Sequence, residues 1–181
     1  LETVPTKPAR HLQKRAALSI LERISDKPTP DFSAEGVLVR RLRTGETMLA
    51  KNEAKIFAIA SLAKLMTAML FIEKVGSMEF VSISQEAQNV LEPDEKKSKV
   101  RAGETIKAED LLMLTIAESD NDASYAAADE AVLRGNPTLR ALSFPERIAE
   151  FVFLMNNKRE TLGLRNTHFM NPGGRDNLLN Y

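Results

Sequence analysis

An apolar run at helical spacing, residues 62 to 75 (LAKLMTAMLFIEKV), constrains the fold more than any other stretch. Leu62, Leu65, Met66, Met69 and Leu70 recur at the period of an α-helix, and Gly76 is a natural stop. Such a helix belongs against a core. Ser61 stands at its head, where unpaired backbone N–H groups and the helix dipole favour negative charge. Lys64, three residues on, shares that face and lies within reach of the Ser61 hydroxyl. A serine needs a base to become a nucleophile, and a lysine serves when burial lowers its pKa, which an apolar helix can arrange. The plain alternative is a capping serine and a solvated lysine, so the pair needs support from elsewhere in the chain.

Composition removes several kinds of chemistry. The 181 residues suffice for one well-cored domain or one lobe of a larger fold. Net charge is zero, which gives no support for nucleic acid or an anionic membrane as a partner. With no cysteine, disulfides, thiolate metal sites and thiol catalysis are excluded. His11 and His168 are the only histidines, so no metal or other cofactor is implied. No run has transmembrane length and no signal peptide is present. The chain begins with Leu1, as a trimmed product does, and it ends abruptly at Tyr181. It reads as a fragment.

Taken in order, residues 1 to 9 form a Pro-rich lead-in and 10 to 24 a helix, followed by a Pro-broken connector over 25 to 35. Strands are expected over 36 to 43 and 46 to 51, joined as a hairpin by Thr44-Gly45. After Gly76 come a short strand (79 to 83), a short helix (84 to 91) and a charged, exposed loop from Glu92 to Lys99. Helices follow at 108 to 118 and 122 to 133, the second Ala-rich and suited to close packing. The last helix spans 145 to 162, with Ile148, Phe151, Val152, Met155 and Leu162 as its buried stripe and Gly163 beyond its end. Leu164 to Gly174 reads as a strand or loop into a turn.

Between two of these helices stands Ser119-Asp120-Asn121. A second hydroxyl there could relay a proton, and an amide could orient both a lysine and a substrate carbonyl. These residue types also favour turns and caps for local reasons. One Ser-x-x-Lys and one Ser-x-Asn, in this order and each beside an apolar helix, is a rarer coincidence than either alone.

That combination resembles the penicillin-binding protein and serine β-lactamase superfamily, and within it the low-molecular-mass D-alanyl-D-alanine carboxypeptidases. The resemblance is carried by Ala60-Ser61-Leu62-Ala63-Lys64-Leu65-Met66-Thr67-Ala68, by Asp110-Leu111-Leu112 leading to Ser119-Asp120-Asn121-Asp122-Ala123, and by Phe151 through Met155-Asn156. Its most specific part is Leu162-Gly163-Leu164-Arg165-Asn166-Thr167-His168-Phe169-Met170-Asn171-Pro172-Gly173-Gly174. It extends over residues 36 to 176. The resemblance implies a mixed α/β (α+β) transpeptidase-like fold of the β-lactamase and penicillin-binding protein kind. A helical subdomain holding 62 to 133 packs on an antiparallel sheet, whose first hairpin is 36 to 51 and whose C-terminal strands are missing. Residues 1 to 30 are then an N-terminal extension with a helix, and 31 to 181 the N-terminal portion of the catalytic domain.

By the same resemblance Ser61 is the acylated nucleophile and Lys64 its general base. Ser119 assists proton transfer, Asn121 holds the substrate backbone, and the Ser61 N–H is half of an oxyanion hole. The implied reaction removes terminal D-alanine from peptidoglycan stem peptides through an acyl-enzyme, outside the cytoplasmic membrane, with β-lactams acylating the same serine. A membrane anchor would lie outside this chain. His168 belongs to a packing and turn segment rather than to a triad.

The chain departs from the family pattern in three places. The Lys-Thr-Gly strand, which would contact the substrate carboxylate and supply the other oxyanion donor, falls beyond Tyr181. Asp120 stands where glycine is usual, giving the Ser-Asp-Asn of class A β-lactamases, although no Glu-x-x-Leu-Asn motif accompanies it. Ala63 replaces a frequent threonine, and Gly173 and Arg175 replace the commoner histidine and leucine. Two rival readings are a wall-peptide-binding module that has lost catalysis and a serine β-lactamase.

Overall fold

The computed structural model describes residues 31–88, 90 and 98–175. The extension 1–30 with its expected helix, most of the charged loop and the last six residues lie outside these. The chain divides into two compact units after Glu53. In the first, β1 (Val37–Arg40) and β2 (Thr47–Lys51) form the expected antiparallel hairpin, with Leu38 opposite Ala50 and an irregularity between Val39 and Arg40. Gly45, at φ +71°, closes the turn by donating its N–H to Arg41 O, and the Arg40 guanidinium binds the Gly45 carbonyl.

The second unit is mainly helical. A 3-10 turn (Ala60–Leu62) leads into α1 (Ala63–Lys74). Then come β3 (Phe80–Ser82), α2 (Gln85–Gln88), β4 (Thr105–Lys107), α3 (Ala108–Ile116), α4 (Asn121–Gly135), a second 3-10 turn (Pro137–Ala141) and α5 (Phe144–Thr161). β3 and β4 pair antiparallel, Val81 facing Ile106. β4 was not expected, because three residues between the Gly103 turn and a helix are too few for a period of two to register.

α4 is the centre of this unit and packs against α1, α2, α3 and α5. Its buried face is mostly alanine (Ala123, Ala126, Ala127, Ala128, Ala131), which lets helices approach closely. Phe71, Leu111, Phe151 and Met155 fill the space between. Asp129 on α4 meets Arg147 on α5 in a buried, two-pronged ion pair, and this hydrogen bonding holds the Arg147 guanidinium above its ordinary pKa. α5 starts one residue before the expected Pro145, because Ser143 and Glu146 form a capping box there. The Ser143 hydroxyl and N–H both donate to the Glu146 carboxylate, lowering its pKa.

Helical spacing translates only in part into burial. On α1 the buried residues are Ala63, Lys64, Met66, Thr67, Ala68, Leu70 and Phe71, whereas Leu62, Leu65 and Met69 are exposed. On α5, Phe151 and Met155 are fully buried but Leu162, past the helix end, is exposed. Among the described residues no helix is long and apolar enough to cross a membrane.

Candidate active site

Ser61 sits in the 3-10 turn, exposed, and Lys64 lies one turn further on inside α1 with 2% of its surface accessible. The burial expected of a lysine base is therefore present. Lys64 Nζ lies 3.2 Å from Ser61 Oγ. From the other side Ser119 donates its hydroxyl to Ser61 Oγ at 2.9 Å.

Both neighbours of this centre carry left-handed backbone. Ala60 has φ +45° and Ser119 has φ +56°. A residue with a Cβ adopts that region at a cost of about 1–2 kcal/mol, so surrounding contacts must hold it. At Ser119 these contacts are visible. Asp120 donates its N–H to Leu114 O at 3.0 Å, and its carboxylate caps α4 by accepting from Ala123 N at 3.1 Å. The same carboxylate accepts from Ser98 Oγ (2.9 and 2.8 Å) and Lys99 N (3.0 Å), while Lys99 pairs with Glu118 at 2.9 Å. The aspartate in place of glycine thus fastens a neighbouring segment to the turn that presents Ser119.

The segment after α5 completes the floor. Gly173 O accepts from Lys64 Nζ at 2.7 Å, and Pro172 O accepts from Thr67 Oγ1 at 2.8 Å, both buried. Gly174 sits so close to the Ser61 turn that an added Cβ would lie 1.8 Å from Ala60 O. Its φ of +71° also calls for glycine. A Cβ on Gly173 would lie 2.9 Å from Asn121 Oδ1, so the carboxamide of Asn121 abuts the residue that holds Lys64. Ser61, Lys64 and Ser119 therefore meet directly, and Asn121 joins them beside Gly173.

His168 Nε2 lies 3.2 Å from Met170 Sδ within the same turn segment. Sequence reasoning did not single out Thr67 or the carbonyls of Pro172 and Gly173. Thr67 was open to detection, since Ser61, Lys64 and Thr67 recur every three residues in an apolar helix. A backbone carbonyl leaves no such trace.

Residues 23–181 match the family described as D-alanyl-D-alanine carboxypeptidase. The chain belongs to that family. Its relatives include a D-alanyl-D-alanine endopeptidase of Pseudomonas aeruginosa, 28% identical over 171 residues, an alignment that takes in 87% of this chain and 49% of that protein. The D-alanyl-D-alanine carboxypeptidase DacF of Bacillus subtilis is 33% identical over 149 residues, 76% of this chain and 32% of that one. Among solved structures, the Streptomyces K15 DD-transpeptidase superposes with a TM-score of 0.73 at 25% identity, covering 85% of this chain and 57% of the other. The D-alanyl-D-alanine carboxypeptidase DacD from Francisella tularensis superposes with a TM-score of 0.68 at 26% identity, covering 88% and 38%. This D-alanyl-D-alanine carboxypeptidase family member has the mixed helix and antiparallel-strand fold of those enzymes. It spans about half the length of the Pseudomonas relative and less of DacF.

Proposed function

We propose that this chain carries the acylating centre of a serine hydrolase that removes terminal D-alanine from peptidoglycan stem peptides. The observation that carries the reading is the hydroxyl of Ser61 held between Lys64 Nζ at 3.2 Å and Ser119 Oγ at 2.9 Å, on the surface of a buried lysine's helix.

The chemistry follows from the atoms present. Lys64 donates an N–H to Gly173 O, which holds Nζ beside the Ser61 hydroxyl, where its neutral form is the base. Ser61 Oγ attacks the penultimate D-alanine carbonyl as its proton passes to Lys64, and the Ser61 N–H receives the oxyanion. Ser119 relays the proton to the leaving amine of terminal D-alanine, while the Asn121 amide aligns the peptide. Water then attacks the acyl-enzyme by the same route in reverse. β-Lactams enter as mimics of the D-alanyl-D-alanine terminus and stop at the acyl-enzyme. Since peptidoglycan lies outside the cytoplasmic membrane, the protein works there.

The test is intact mass of the complete gene product after incubation with benzylpenicillin, beside Ser61→Ala. We expect one penicilloyl group on the parent and none on the variant. A folded parent that gains no mass would overturn the catalytic reading and favour a wall-peptide-binding module. Rapid loss of the adduct would indicate a β-lactamase.

A further inference from the structure

Residues 168–175 form a strap that leaves α5, crosses the head of α1 and supplies both carbonyls that face it. Its hold on α1 is described above, through Lys64, Thr67 and the close fit of Gly174. Its hold on α5 combines the packing of Phe169 with Phe151 and Met155 in the core, a bond from Arg159 Nη1 to Thr167 O at 3.1 Å just before the strap, and the side chain of Asn156. Asn156 alone among the described residues of α5 bonds the strap backbone itself. The carboxamide of Asn156 donates from Nδ2 to Phe169 O at 2.8 Å and accepts from Phe169 N at 3.1 Å on Oδ1. A further bond from Nδ2 to Val152 O, 3.0 Å, ties the amide to its own helix. Asn156 therefore treats Phe169 as a neighbouring strand would, satisfying its N–H and C=O together. An amide does this because it carries both a donor and an acceptor; a carboxylate can only accept, and leucine can do neither.

Displacement at Phe169 has little slack in which to dissipate. The Phe169 side chain is 4% exposed and belongs to the core. Asn171 closes the following turn by accepting from Arg175 N at 3.1 Å and donating to Arg175 O at 3.0 Å. Pro172 and Gly173 lie inside that closed turn. The backbone that Asn156 grips is thus three and four residues from the carbonyls that orient Thr67 and Lys64.

We propose that Asn156 is a positioning residue for acylation: by clamping Phe169 it sets the Gly173 carbonyl and, through it, the direction of the Lys64 amine. This rests on the reading of Lys64 as base given above. It assigns a role to a residue on α5 that touches neither substrate nor nucleophile. A misplacement of the order of 1 Å in a reacting group costs about 10²-fold in rate, which sets the expected size of the effect.

The experiment compares Asn156→Leu, Asn156→Asp and the neighbouring exposed Asn157→Leu in the complete gene product. Time-resolved acylation by benzylpenicillin gives three quantities: the affinity of the pre-covalent complex, the acylation rate constant, and the final fraction labelled. For Asn156→Leu we expect the rate constant to fall by about 10²-fold with affinity and final fraction unchanged. Asn156→Asp, which keeps the acceptor for Phe169 N, should lie between parent and leucine, and Asn157→Leu should match the parent. A lower labelled fraction with an unchanged rate constant in the remainder would mean that Asn156 only supports folding, and would overturn the proposal. A second arm does not depend on acylation. With lysine labelled at 13Cε, the Lys64 resonance, identified by its loss in Lys64→Met, should shift in Asn156→Leu while core methyl resonances stay in place. If Lys64 does not shift, the proposal fails, whether or not the parent is labelled by penicillin. If Lys64 shifts but the parent takes no penicillin, the clamp stands and the catalytic reading is what fails.

Discussion

The two long faces of α1 are both apolar in sequence, yet they differ in what they meet. The inner face sets Met66, Leu70 and Phe71 into the core and, among them, buries Lys64 and Thr67. The outer face leaves Leu62, Leu65, Met69 and Ile72 exposed. The inner face is not the purely apolar one, since it carries Lys64 and Thr67 among its buried residues. It is inside because its two polar residues find backbone carbonyls on the strap, at 2.7 and 2.8 Å, and a buried polar group with a partner escapes most of its desolvation penalty. Apolar spacing alone does not place these two polar residues inside; the carbonyls that receive them do.

The contrast can be broken most severely at Lys64. Lys64→Met keeps an unbranched side chain, one atom shorter, but removes the amine that takes the proton, and penicillin acylation should be abolished while circular dichroism is unchanged. Phe71→Ala attacks the same face through packing alone. With the ring fully buried, urea unfolding should report a loss of about 3–5 kcal/mol. Thr67→Val keeps the shape and removes the hydroxyl, leaving Pro172 O without its donor. A loss of about 1–3 kcal/mol together with slower acylation is expected. Leu65→Gln tests the outer face, where unfolding free energy should move by no more than about 0.5 kcal/mol. A larger loss at Leu65 would mean that the outer face is covered in solution, and the contrast would disappear.

Much of this was legible in the residues. The helices announced themselves by period, and the Ser-x-x-Lys and Ser-x-Asn motifs marked the side chains that the fold brings to one point. The limits were physical. Period locates an apolar helix but does not say which of its apolar residues face the core, and Leu65 and Met69 lie outside. β4 exists because β3 offers an edge to pair with, and a pairing across 23 residues is not written in Thr105-Ile106-Lys107 alone. The strap's role was hidden most completely, because its contacts with Lys64 and Thr67 are made by main-chain oxygen atoms that every residue possesses. Asp120 illustrates the opposite case. Its departure from the family pattern was plain, and only the structure revealed the three donors it accepts from, Ser98 Oγ, Lys99 N and Ala123 N.

The hydrogen bond from Lys64 to Gly173 joins residues 109 positions apart. Chains grow at about 5–20 residues per second, so roughly 5–20 s separate the synthesis of the two partners. A nascent chain that has just passed Asn121 already holds both serines and the lysine, yet has no carbonyl to aim the amine. On the mechanism proposed above, the order of translation itself delays reactivity: the nucleophile is made early and the carbonyl that orients its base arrives later.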